Sequence, residues 1–137
     1  MTVGALLVFV HVAANVVWIG SILAVAVVAT GADGDDRTRG ALAATIYRKL
    51  AAPAFGVSFL AGVSRLAMDP GYYFVATKFM HGKLTFALAV IALHHVIGGR
   101  VKKMKAGESG AENTGGLAFA LFACAVVAVF FVVTKPF

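Results

Sequence analysis

The stretch Phe79–Lys103, "FMHGKLTFALAVIALHHVIGGRVKK", is apolar enough in its middle to cross a bilayer, yet it carries His81, Lys83, His94 and His95. A spanning helix needs about 20 predominantly apolar residues. Imidazole and ammonium groups are costly at lipid depth and turn inward, toward protein partners or a functional site. The stretch therefore predicts a membrane helix with a polar interior face.

The rest of the chain agrees. Hydrophobic residues make up 61% of the 137 positions and charged residues 13%, against about a half and a quarter in soluble domains. Apolar runs over 3–29, 41–68, 73–101 and 116–133 predict an all-α fold, an integral membrane four-helix bundle forming a single domain over 1–137. "GADGDDRTRG", "MDPGYY" and "KKMKAGESGAENTGG" mark the connections, rich in glycine and charge. Pro53 lies near the start of the lipid-depth part of the second run, where a bend is tolerated. The first run lacks a basic leader and is longer than a signal-peptide core, so it reads as a retained helix. Cys124 stands alone in an apolar run and reads as a small packed hydrophobe.

The formal charge of +6 would suit nucleic acid as a partner, but the basic residues cluster between the apolar runs, which is the pattern of membrane topology, and no nucleic-acid partner is expected. Arg37, Arg39, Arg48, Lys49, Arg100, Lys102, Lys103 and Lys105 belong to the ends joined by the first and third connections, and Arg65, Lys78, Lys83 and Lys135 to the other end. Lys and Arg are enriched on the cytoplasmic side of membrane proteins. Both termini are then expected outside, in a bacterial inner membrane, with the lipid bilayer as the surrounding partner.

His11, Asn15 and Trp18 follow i, i+4, i+7 and share one helix face. His11 is either hydrogen-bonded to a neighbouring helix or a ligand. Ser58, Ser64 and Arg65 lie among small residues that allow close helix approach; Arg65 either snorkels or pairs with an anionic group. In the third run, Lys83 and His94 fall on one stripe, and His81 and His95 on another. His81 and His94 are about 20 Å apart along the axis, too far to share a metal ion. His11 and His81 differ by only about 6 Å in depth, and His94 lies about 13 Å deeper than His11. That makes His11 with His81 the better axial pair for a haem held between helices. The Cys/His spacing does not suit structural zinc. Copper, with Met68 and Met80 as soft donors, is the alternative metal.

The chain resembles the HemJ-type protoporphyrinogen IX oxidases, small membrane haem proteins. The resemblance rests on His11 followed by "VVWIG", on "IYRKLAAPAF", on "HGKL" followed by His94, and on the closing "VVTKPF". It differs in having "AVAVVATGADGDDR" after the first helix start and Leu93 before His94. The copper-resistance D-type membrane domain shares the His and Trp pattern of the first helix. The resemblance implies a haem b enzyme that oxidises a porphyrinogen and passes electrons to quinone. His11 and His81 look like its haem-associated histidines, with Asn15, Trp18 and Arg65 beside the cofactor. Lys83, His94 and Arg48 look like further motif positions, and Lys83 and His94 are the expected catalytic groups. Three other readings stand beside it: a haem b electron-transfer or accessory subunit of a membrane complex, a copper-handling membrane protein, and a helix-packing subunit without cofactor. The partners expected for the chain are a second copy, in a homo-oligomer, or the other subunits of a membrane complex.

Overall fold

The computed structural model describes residues 1–110 and 112–136. Phe137, which closes the terminal Lys-Pro-Phe, and Ala111 of the third connection lie outside the described residues. Helix α1 covers Val3–Thr30, α2 Asp36–Ile46, α3 Ala52–Met68, α4 Phe79–Lys105 and α5 Thr114–Thr134. No strand occurs among the described residues. α2 and α3 are joined by a π-helical turn, Tyr47–Ala51, into one span over Asp36–Met68, so four spans are long and apolar enough to cross a membrane. Val16, Val27, Leu88 and Phe119 are all exposed, as suits a multi-pass membrane protein whose outer faces meet lipid.

Local chemistry explains the helix ends. Thr2 caps α1 by accepting a hydrogen bond from the Ala5 amide at 3.2 Å. Asp35 caps α2 by accepting from the Thr38 amide at 2.7 Å, which satisfies an otherwise orphaned donor. The Thr38 bonds hold the Asp35 carboxyl below the usual carboxylate range. The third run was expected from Tyr73, but α4 begins at Phe79. Asp69 accepts from the Tyr72 amide and the Thr77 hydroxyl takes the Tyr72 carbonyl, so Tyr72–Ala76 forms a separate π-helical turn. Lys78 then adopts a left-handed conformation with φ 42°, which no helix continues. At its other end α4 extends to Lys105, with Lys102, Lys103 and Lys105 in its last turn, where cations offset the helix dipole.

The turn at Tyr47–Ala51 follows from Pro53. Proline has no N–H to give the Lys49 carbonyl, and its ring crowds that oxygen. The helix widens, and the Ala52 amide reaches back to the Tyr47 carbonyl, the i→i−5 spacing of a π-bulge. The span changes neighbours across this turn. α2 packs on α4 and α1, whereas α3 packs chiefly on α1; α5 lies against α4 and α1.

The core sits in the half of the bundle that holds the first and third connections. Trp18, Ile22, Val25 and Ala29 of α1 meet Ala43 of α2, Ile97, Val101 and Met104 of α4, and Leu121 of α5. Close approach there depends on Gly40. A Cβ at this position would lie 2.6 Å from the Lys105 amide nitrogen and the Met104 carbonyl carbon, and backbone has no rotamer to escape into.

Gly40→Ala is therefore expected to destabilise the protein by about 1–3 kcal/mol, the usual cost of overpacking. Gly99, around which nothing lies within 4 Å, should accept alanine with little effect. Reversible unfolding in mixed micelles compares the two, and equal stabilities would rule out the close α2–α4 contact.

Candidate functional site

Two histidine-centred clusters lie along one face of α1. In the first, His11 Nδ1 is 2.7 Å from the Ser58 carbonyl oxygen and 3.1 Å from its hydroxyl. A carbonyl only accepts, so Nδ1 carries the hydrogen. The Asn15 amide nitrogen lies 3.1 Å from His11 Nε2, and the Ser58 hydroxyl donates to the Asn15 amide oxygen at 3.0 Å. The loop of bonds closes only with His11 as the Nδ1–H tautomer and Nε2 as acceptor. The imidazole lies on α3 at Gly62, where a Cβ would come within 2.9 Å of the ring.

In the second cluster the tautomer is reversed. The Trp18 indole donates to His94 Nδ1 at 3.0 Å. An indole N–H cannot accept, so Nδ1 keeps its lone pair and the hydrogen sits on Nε2. That nitrogen is 3.0 Å from the Tyr47 hydroxyl, which must accept. His94 is buried at 1% exposure. Tyr47 stacks on its ring at a centroid distance of 4.8 Å, and Phe55 leans over it at 4.8 Å and reaches His95 at 5.6 Å. Trp18 touches Phe55 at 4.9 Å. The Tyr47 ring lies directly against Gly98, where a Cβ would collide with the ring and its hydroxyl.

The residues singled out from sequence divide accordingly. His11 and Asn15 do share a face and bond to each other, while Trp18, farther along that face, joins His94 instead. His81 is exposed, and its Nε2 lies 3.2 Å from the Phe74 carbonyl. Among the described residues no hydrogen bond or ring contact joins His81 to His11. Lys83 is partly buried and lies within electrostatic range of His11. Arg65 sits over the Tyr73 ring at 5.2 Å, and its Nε is buried without a hydrogen-bond partner. No group of three or more His, Cys, Asp or Glu gathers among the described residues.

Sequence reasoning missed Tyr47, Phe55 and Ser58 as members of these clusters. By sequence Ser58 stands only as a polar residue among the small residues of the second run. Tyr47 has a sequence signal: a hydrogen-bonding aromatic six residues before Pro53, where a widened turn re-aims a side chain.

Chemically the clusters differ. His11 keeps an acceptor nitrogen that is met only by the Asn15 carboxamide. His94 has both nitrogens engaged, one by a donor that cannot reverse its role. Trp18→Phe is expected to cost about 1 kcal/mol, as intramembrane hydrogen bonds do, and to release the tautomer lock. Nitrogen-15 NMR of His94 should change from an Nε2–H pattern to a tautomer mixture; an unchanged spectrum would refute the lock. Gly98→Ala should push Tyr47 off His94 at a cost of about 1–3 kcal/mol. No family model, no curated protein and no solved structure matches this chain.

Proposed function

We propose that this chain is a haem b-binding membrane oxidoreductase of the kind it resembles, with His11 as the protein ligand. The observation that carries the reading is the bonding of His11. Metal-ligating histidines almost always give their second N–H to a carbonyl or carboxylate, which fixes the ring and raises the basicity of the ligating nitrogen. The His11 Nδ1–H is directed in this way at the Ser58 carbonyl, leaving Nε2 opposed only by the Asn15 amide. A rotation of the Asn15 side chain frees it. The close-packed Gly62 backbone beneath the ring holds the imidazole's plane.

His94 does not fit a ligand role with both nitrogens engaged, and His81 fits as a second ligand only with a movement away from Phe74. A single-histidine attachment is therefore preferred to the His11–His81 pair. When bound, a b-type haem supplies one-electron chemistry. Lys83, near His11 and without an acidic partner among the described residues, is placed to exchange a proton or hold a carboxylate. Arg65, with its Nε unpartnered, suits a propionate. By resemblance the substrate is a porphyrinogen and the electron acceptor a quinone. The excess of Lys and Arg at the first and third connections supports both termini lying outside, in a bacterial inner membrane.

A reduced-minus-oxidised spectrum of the detergent-purified protein tests this. The expected result is a b-type signal that falls at least tenfold in His11→Ala and persists in His94→Gln. An unchanged signal in His11→Ala would overturn the ligand assignment. A haem signal without porphyrinogen oxidation identifies an electron-transfer subunit, and bound copper without a Soret band identifies a copper-handling protein.

A further inference from the structure

Between α2 and α4, at the end of the bundle carrying the first and third connections, lies a cavity of about 320 Å³. Its wall includes Tyr47, Gly98 and Val101, and its cations are Arg48, Lys102 and Lys105. No acidic residue lines it, and among the described residues none pairs with these cations. Arg48, Lys102 and Lys105 line the cavity and are exposed, so all three cations stand at a solvent-accessible wall. The Tyr47 hydroxyl accepts from His94 and so turns its own hydrogen elsewhere; no acceptor for it occurs among the described residues. Every polar group offered by these four side chains is thus a donor.

We propose that this cavity binds a phosphate group, with the Tyr47 hydroxyl donating to one oxygen while Arg48, Lys102 and Lys105 neutralise the others. His94 is a positioning residue: Trp18 holds it as Nε2–H, and that hydrogen forces the Tyr47 proton outward. A quinone carbonyl needs one or two neutral donors and no cluster of cations. The cavity holds about ten waters' worth of space at ~30 Å³ each, near the lower limit of ligand pockets, which suits a small anionic headgroup. Basic pockets between membrane helices take lipid phosphates in the same way. A phospholipid headgroup and a soluble phosphate ester present the same chemistry.

Native mass spectrometry of the detergent-released protein, loaded with phosphatidylglycerol or phosphatidylcholine, provides the test. Phosphatidylglycerol adducts should exceed phosphatidylcholine adducts and fall about fivefold for each of Arg48→Gln, Lys102→Gln and Lys105→Gln, the value of one interfacial cation. Lys102→Arg and Lys105→Arg should retain them, which separates charge from misfolding. Tyr47→Phe should weaken binding while Lys103→Gln, outside the cavity, leaves it unchanged. Calorimetry with glycerol 3-phosphate distinguishes the sources: heat of binding without lipid identifies a soluble ester, and its absence alongside lipid adducts identifies a headgroup. Adducts insensitive to all three glutamine variants, or a retained quinone lost only in Tyr47→Phe, would overturn the proposal.

Discussion

The N–H that Pro53 lacks shapes the second span and, through it, both histidine clusters. A regular α-helix would need a donor for the Lys49 carbonyl and room for the ring that replaces it. The π-helical turn supplies the room by adding one residue to the circuit. Its geometric consequence is a change of phase: side chains before the turn and after it no longer follow one stripe. α2 thereby commits to α4 and α1, and α3 to α1. Tyr47, at the turn's start, is aimed at His94, and Phe55, just past it, covers the same imidazole from another side. π-Bulges concentrate at functional sites, and here the reason is visible, because one insertion places two aromatic side chains on one buried group.

The two histidines show how identical side chains take different chemistry from their partners. A carbonyl beside His11 dictates a hydrogen on Nδ1; an indole beside His94 dictates a lone pair there. Neither assignment needs charge or acid-base equilibrium, only the donor and acceptor inventory of the neighbours. His11 keeps its outward nitrogen as an acceptor, met by the Asn15 amide. His94 is committed on both sides and transmits its state to the Tyr47 hydroxyl. The two sites are thus separated along one face of α1, with His11 and Trp18 two turns apart, about 10 Å at the helical rise.

The four spans and their helical character were legible because apolar runs of membrane length leave few alternatives for the backbone. The shared face of His11, Asn15 and Trp18 was legible from spacing, and so was the greater depth of His94. The start of α4 was not: Tyr72–Ala76 is as apolar as a helix start, and the bonds of Asp69 and Thr77 decide its conformation. Tyr47 was hidden for a related reason. In an unbroken helix its direction follows from its register, but the widened turn changes that register, and no periodicity rule anticipates a phase shift. The pairing of Trp18 with His94 was equally out of reach, since it depends on how two parallel spans are set against each other.

That setting has little hydrophobic force behind it, because lipid solvates an apolar helix as well as another helix does. The buried apolar cluster lies in one half of the bundle, and close approach there rests on glycines such as Gly40 and Gly98 that let backbone or ring come within contact. In the other half, Leu6, Phe9, Leu60, Val63 and Phe130 are exposed, and helix register depends more on specific polar bonds. The Ser58–His11–Asn15 loop supplies such a constraint between α1 and α3. A slip of one residue would leave an imidazole and a carboxamide without partners in an apolar medium, where each unsatisfied group costs several kcal/mol. The bonds that fix the His11 tautomer therefore also hold the two helices in register, and turning Asn15 away from Nε2 would break one of them.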